Sequence, residues 1–63
     1  MQEIITGIKK ETGIDIVWQK GKETKSIFFS YAELIDLKIN ALDLLEHPKR
    51  YLLDVDKHKI VMK

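Results

Sequence analysis

A chain of 63 residues with 44% hydrophobic and 33% charged residues fits one globular domain, residues 1–63, and is too apolar to stay disordered. It has no cysteine, so neither a disulfide nor a thiolate metal site reinforces a core that at this size rarely supplies more than about 3–5 kcal/mol. A net charge of +1 argues against a strongly electrostatic nucleic-acid or membrane binder, and no apolar run approaches the roughly 18 residues of a membrane span, which leaves the expectation of a complete, soluble, cytoplasmic product.

Met1 to Thr12 places Met1, Ile4, Ile5, Ile8 and Thr12 at helical spacing, with Lys9 and Lys10 near the end where positive charge suits the helix dipole. Gly13 then reads as the residue just past a helix, and Ile14 as its apolar contact back to Ile8. The spacing predicts a first helix here, with an Ile4–Thr6–Ile8 strand as the alternative.

Ile14 to Lys20 alternates, with Ile14, Ile16 and Trp18 on one face and Asp15, Val17 and Gln19 on the other. Lys25 to Ser30 follows as a second strand after a Gly21–Thr24 turn. Pairing Lys20 with Lys25 sets Trp18 against Ile27, Ile16 against Phe29 and Val17 against Phe28. A two-residue loop would put Lys25 opposite Trp18, so the hydrophobic match favours the four-residue loop.

Ser30-Tyr31-Ala32-Glu33 is a capping box, and a second helix starts there. A continuous helix to Glu46 or His47 would align Glu33, Asp36, Asn40, Asp43 and His47 as one polar stripe facing solvent. A break at Lys38–Asn40, with Asn40 capping a second short helix, is the alternative. Pro48 ends the element. Arg50–Val55 and His58–Met62 read as a last hairpin that sets Asp54 opposite Lys59, Leu53 opposite Ile60, Leu52 opposite Val61 and Tyr51 opposite Met62.

The expected order is α-β-β-α-β-β: an α+β domain with an antiparallel four-stranded sheet packed with two helices.

The residues of the usual catalytic constellations are missing. Ser30 is a cap, Ser26 has no base at recognisable spacing, and His47 and His58 are the only histidines. Gly7, Gly13 and Gly21 are too scattered for a phosphate loop. No catalytic residue, metal site or cofactor is expected, and the chain is not expected to be an enzyme.

What stands out is surplus apolar surface. The second helical segment is apolar over more of its circumference than a surface helix needs. The sheet is apolar on both faces, with Val17, Phe28, Leu52 and Val61 on the one opposite Trp18. A short chain has little left to cover that face, and an uncovered apolar patch marks an association site. The expected function is a small binding or regulatory protein acting through protein–protein contacts, by self-association as a homodimer or by docking on a larger partner. Asp36 and Asp43 add an acidic surface to that candidate interface. The alternative is a small nucleic-acid-binding protein that uses Lys20, Lys22, Lys25, Lys57 and Lys59, with Trp18 or Tyr51 as a stacking surface. Arg50 is the only arginine, which disfavours bidentate reading of phosphates or bases.

Overall fold

The computed structural model describes residues 1–63. Its elements are β1 (Gln2–Lys9), β2 (Gly13–Lys20), β3 (Glu23–Ser30), α1 (Tyr31–Asp36), α2 (Ala41–Glu46), a 3-10 turn (Pro48–Arg50), β4 (Tyr51–Asp54) and β5 (Lys59–Met62). The strands form one five-stranded antiparallel sheet in the order β3-β2-β1-β4-β5. The fold is α+β, but the order is β-β-β-α-α-β-β and not the expected α-β-β-α-β-β with four strands.

The first correction is the amino-terminal segment, which is a strand and not a helix. Its pairing with β2 runs Ile4↔Trp18 and then Thr6↔Val17, so Ile5 is an extra bulged residue. A bulge shifts the period-two pattern by one. Ile4, Ile5 and Ile8 thereby acquire the three-and-four spacing that reads as a helix. Gly13 is not a helix cap either. It lies inside β2 and faces Ser30 across the ladder.

The second correction is the β2–β3 register. Lys20 pairs with Glu23, Trp18 with Lys25, Ile16 with Ile27 and Ile14 with Phe29 around a two-residue turn. Gly21 adopts φ +60°, which such a turn requires and which glycine takes at no steric cost. The turn geometry and a Lys20–Glu23 opposite-charge pair outweigh the apolar partner lost by Trp18. The slip is by two residues, so no side chain changes face.

The third correction is the helical segment, which breaks after Asp36. Leu37 caps α1, Lys38 takes φ +61°, the Lys38 N–H donates to the Ile35 carbonyl and the Ile39 N–H donates to the Leu34 carbonyl. These are the two bonds of a Schellman motif, and Leu34 and Ile39 are its usual apolar pair. Asn40 then caps α2 by accepting from the Asp43 N–H at 3.0 Å. Lysine in a left-handed position costs about 1–2 kcal/mol. Lys38→Gly is therefore expected to raise stability by about 1 kcal/mol in denaturant titration.

Two expected features are present as read. Ser30 and Glu33 form the capping box at the start of α1. The β4–β5 register is Asp54↔Lys59, Leu53↔Ile60, Leu52↔Val61 and Tyr51↔Met62.

One hydrophobic core unites Ile4, Ile14, Ile16, Trp18 and Phe29 of the meander with Leu34 and Leu44 of the helices and Tyr51, Leu53 and Ile60 of the second hairpin. Both helices therefore serve the same sheet face. α2 lies over Gly7, where an added Cβ would come within 3.3 Å of Leu45 Cδ2. The sheet is also coiled. β3 and β5 are its two edges, yet the Phe29 ring stacks on His58 with centroids 4.1 Å apart. β4 leaves β1 after the pairs Gln2↔Leu53 and Glu3↔Leu52, so the second hairpin curls back over the core.

Candidate functional site

Because both helices sit in the concave face, the convex face of the sheet has no layer over it. The registers put Val17, Phe28, Leu52 and Val61 on this face, together with Thr6 and Ile8 and with the polar Glu3, Asp15 and Ser26 among them. The bulge adds Ile5, since Ile5 and Thr6 together oppose Val17. Ile5, Ile8 and Phe28 are 41%, 47% and 39% exposed, values that a covering layer would have reduced. Val17, Leu52 and Val61 are half-buried. The four apolar candidates thus share one surface, and Ile5 and Ile8 enlarge it. Reading residues 1–12 as a helix hid those two, and the alternative Ile4–Thr6–Ile8 strand puts Ile8 on the face of Ile4 and leaves out Ile5, because it lacks the bulge.

The acidic candidates separate. Asp36 is exposed at the end of α1, and nothing in the structure pairs with it. Asp43 is half-buried and accepts from Arg50 Nη1 at 3.0 Å and from the Tyr51 hydroxyl. The helix break destroys the single polar stripe, so Asp43 ties α2 to β4 and does not face solvent with Asp36. Charge reversal at Asp43 is accordingly a structural change, not a surface one. Burial, and next the bond to Asp43, push the Tyr51 hydroxyl above its usual value near 10.0. Its contribution to stability is present below that value and lost as pH rises through the folded one.

Glu33 joins three elements. It accepts from the Ser30 N–H at 3.0 Å, and its carboxylate lies 3.1 Å from His58 Nε2 in the turn before β5. The Ser30 backbone bond, followed by the Ser30 hydroxyl and His58, holds its carboxyl below the usual value near 4.5. A depressed carboxyl contributes stability above the unfolded value and loses it as pH falls through the folded one. Acid unfolding should therefore show a stability loss below the usual glutamate range that Glu33→Gln flattens. Ser30→Ala should cost about 1 kcal/mol at neutral pH through loss of the cap.

The lysines of the alternative reading divide between faces. Lys20 and Lys25 share the concave side with Trp18, and Lys25 lies 3.3 Å from Glu23. Lys59 shares the convex side with Val61, while Lys22 and Lys57 occupy the β2–β3 and β4–β5 turns. Trp18 and Tyr51 are buried, so neither offers a stacking surface. No group of three or more His, Asp or Glu, with or without His47 and His58, is placed to hold a metal ion. No helix is long and apolar enough to cross a membrane.

Two hollows complete the surface. A cleft of ≈ 180 Å³ lies between the amino terminus and the β4–β5 turn. A shallow groove of ≈ 420 Å³ lies between the β1–β2 turn and α2, with Lys9 and Lys10 at its rim and Leu42 and Leu45 among its walls. Neither gathers a catalytic constellation. Comparison with protein-family models, curated proteins and solved structures finds no match.

Proposed function

We propose that this protein is a small non-enzymatic binding protein that works through protein–protein contacts on the convex face of its sheet. The observation that carries the reading is an uncovered face that exposes Ile5, Ile8 and Phe28 and leaves Val17, Leu52 and Val61 half-buried, with Asp15 between Ile8 and Phe28 and Glu3 opposite Leu52, beside a core that both helices have already closed. Exposed apolar surface on a small domain is relieved by association, and a bound partner adds stability by mass action. The division of Lys20 and Lys25 from Lys59 between faces, and the burial of Trp18 and Tyr51, favour protein over nucleic acid as the partner.

Val17→Asp tests this reading. Val17 is half-buried on this face, so a charge there should cost the monomer about 1 kcal/mol. It should weaken self-association in sedimentation about tenfold or more, because an unpaired charge would be desolvated in the contact. It should also reduce binding of an apolar dye. A wild-type chain that stays monomeric and binds no dye would overturn the reading.

A further inference from the structure

The free edge of β3 carries more information than the face beside it. In a two-residue hairpin the flanking pair, Lys20 and Glu23, exchanges both backbone hydrogen bonds, and the pattern then alternates along the ladder. Glu23, Lys25, Ile27 and Phe29 therefore turn their backbone groups toward β2. Thr24, Ser26, Phe28 and Ser30 turn theirs outward. The Ser30 N–H, outward as this alternation requires, is taken by Glu33 at 3.0 Å. Thr24, Ser26 and Phe28 remain, all exposed on the outermost strand of the sheet.

Edge strands are normally blunted by shortness, proline, bulges or unpaired lysines. β3 is eight residues long, contains no proline and pairs with β2 without a register shift. Its one lysine, Lys25, is neutralised by Glu23. The opposite edge, β5, is only four residues long, and the turn leading into it is tied down by His58 on Phe29 and Glu33.

We infer that β3 pairs antiparallel with β3 of a second copy, joining two sheets edge to edge about a two-fold axis at Ser26. This names the partner as a second copy and rests on the reading above only for the contact being one between protein chains; its site is the sheet edge, not the convex face. One register uses every free backbone group of Thr24, Ser26 and Phe28: Ser26 opposite Ser26, and Thr24 opposite Phe28 in both directions. Each of these pairs exchanges both of its hydrogen bonds. Moving the axis to Lys25 sets two lysines directly opposite, which is destabilising. Moving it to Ile27 or Phe28 calls on the Ser30 N–H that Glu33 already holds. Moving it to Thr24 leaves Phe28 unpaired. In the Ser26 register Lys25 meets Ile27 and Glu23 meets Phe29, so no like charges oppose each other. The convex faces of the two copies fall on the same side, with Thr24, Ser26 and Phe28 of both copies along the seam.

The test is a cysteine scan, clean because the chain has no cysteine of its own. Residues on the axis lie about 5.5 Å from their copies, within disulfide range, while Thr24 and Phe28 lie roughly 14 Å from theirs. Under mild oxidation Ser26→Cys should run at twice the 7.4 kDa chain mass, and Thr24→Cys and Phe28→Cys at the single mass. Sedimentation of the unmodified protein should show a concentration-dependent dimer. A monomer throughout the series, or cross-linking at Thr24 or Phe28 as ready as at Ser26, overturns the inference. A dimer that Val17→Asp dissociates, but that Ser26→Cys fails to cross-link, overturns the strand pairing and leaves the convex-face reading. Cross-linking of the Ser26→Cys chain, in a dimer that Val17→Asp leaves intact, supports the strand pairing and removes the other.

Discussion

Gly13→Ala is expected to leave the chain largely unfolded, because an added Cβ there meets the backbone of the neighbouring strand, as it does at neither Gly7 nor Gly21. A Cβ on Gly13 would lie 2.1 Å from the Phe29 carbonyl oxygen and 2.7 Å from Ser30 Cα. Both are backbone atoms of the paired strand, so no rotamer change relieves the contact. β2 and β3 would have to part where the Tyr31 N–H donates to the Thr12 carbonyl and Ser30 caps α1. Overpacking costs about 1–3 kcal/mol where side chains can yield. Here the backbone must move, and the whole domain is expected to have only about 3–5 kcal/mol to lose. Gly7→Ala is the control. Its Cβ would meet side-chain methyl groups, Ile14 Cγ2 at 3.1 Å and Leu45 Cδ2 at 3.3 Å, which can shift by tenths of an ångström. Denaturant titration should show a cooperative transition for Gly7→Ala and none for Gly13→Ala. A Gly13→Ala protein within about 1 kcal/mol of wild type would show that the strands separate at little cost.

Phe29→Ala should cost about 3–5 kcal/mol, close to the entire stability, while Phe28→Ala should cost less than about 1 kcal/mol. The two residues are neighbours in β3 and differ in the face they occupy. Phe29 is fully buried, touches the common core of sheet and helices, and stacks on His58. Its loss opens a cavity and releases the contact that curls the second hairpin onto the meander. Phe28 is 39% exposed on the convex face. Its removal should leave folding nearly unchanged and act on association. Phe29→Leu, expected to remain folded at roughly half the cost, keeps the comparison measurable. Equal effects of the two alanine substitutions on thermal unfolding would mean that the face assignment is wrong.

Much of the candidate surface was legible because strands alternate. Val17 with Phe28, and Leu52 with Val61, were placed on the face opposite Trp18 by period two alone, and a register slip of two residues left that assignment intact. The edge of β3 was not legible. Which backbone groups point outward depends on the turn, and the Trp18–Ile27 apolar match favours a longer loop unless Gly21 takes the φ of +60° that closes a two-residue one. The acidic stripe failed for a related reason. Asp36 and Asp43 share a side only if the helix is continuous, and Lys38 in a left-handed conformation ends it.

Local rules decided by a few adjacent residues were complete in the sequence: the Ser30 capping box, the Asp54–Lys59 hairpin register and the two-faced pattern of β2. Tertiary structure alone decided β1, the helix break and the open face. Residues 2–9 suit a bulged strand or an interrupted helix about equally, and pairing with β2 on one side and with the distant β4 on the other selects the strand. Breaking after Asp36 lets Leu34 and Leu44 enter one core, at the cost of strain in Lys38 and exposure of Ile35 and Leu42. Local preferences of a few tenths of a kcal/mol per residue yield to the burial of whole side chains, each contributing about 1.5–3 kcal/mol. That burial requires both helices on one side of the sheet, and the other side is left apolar and open.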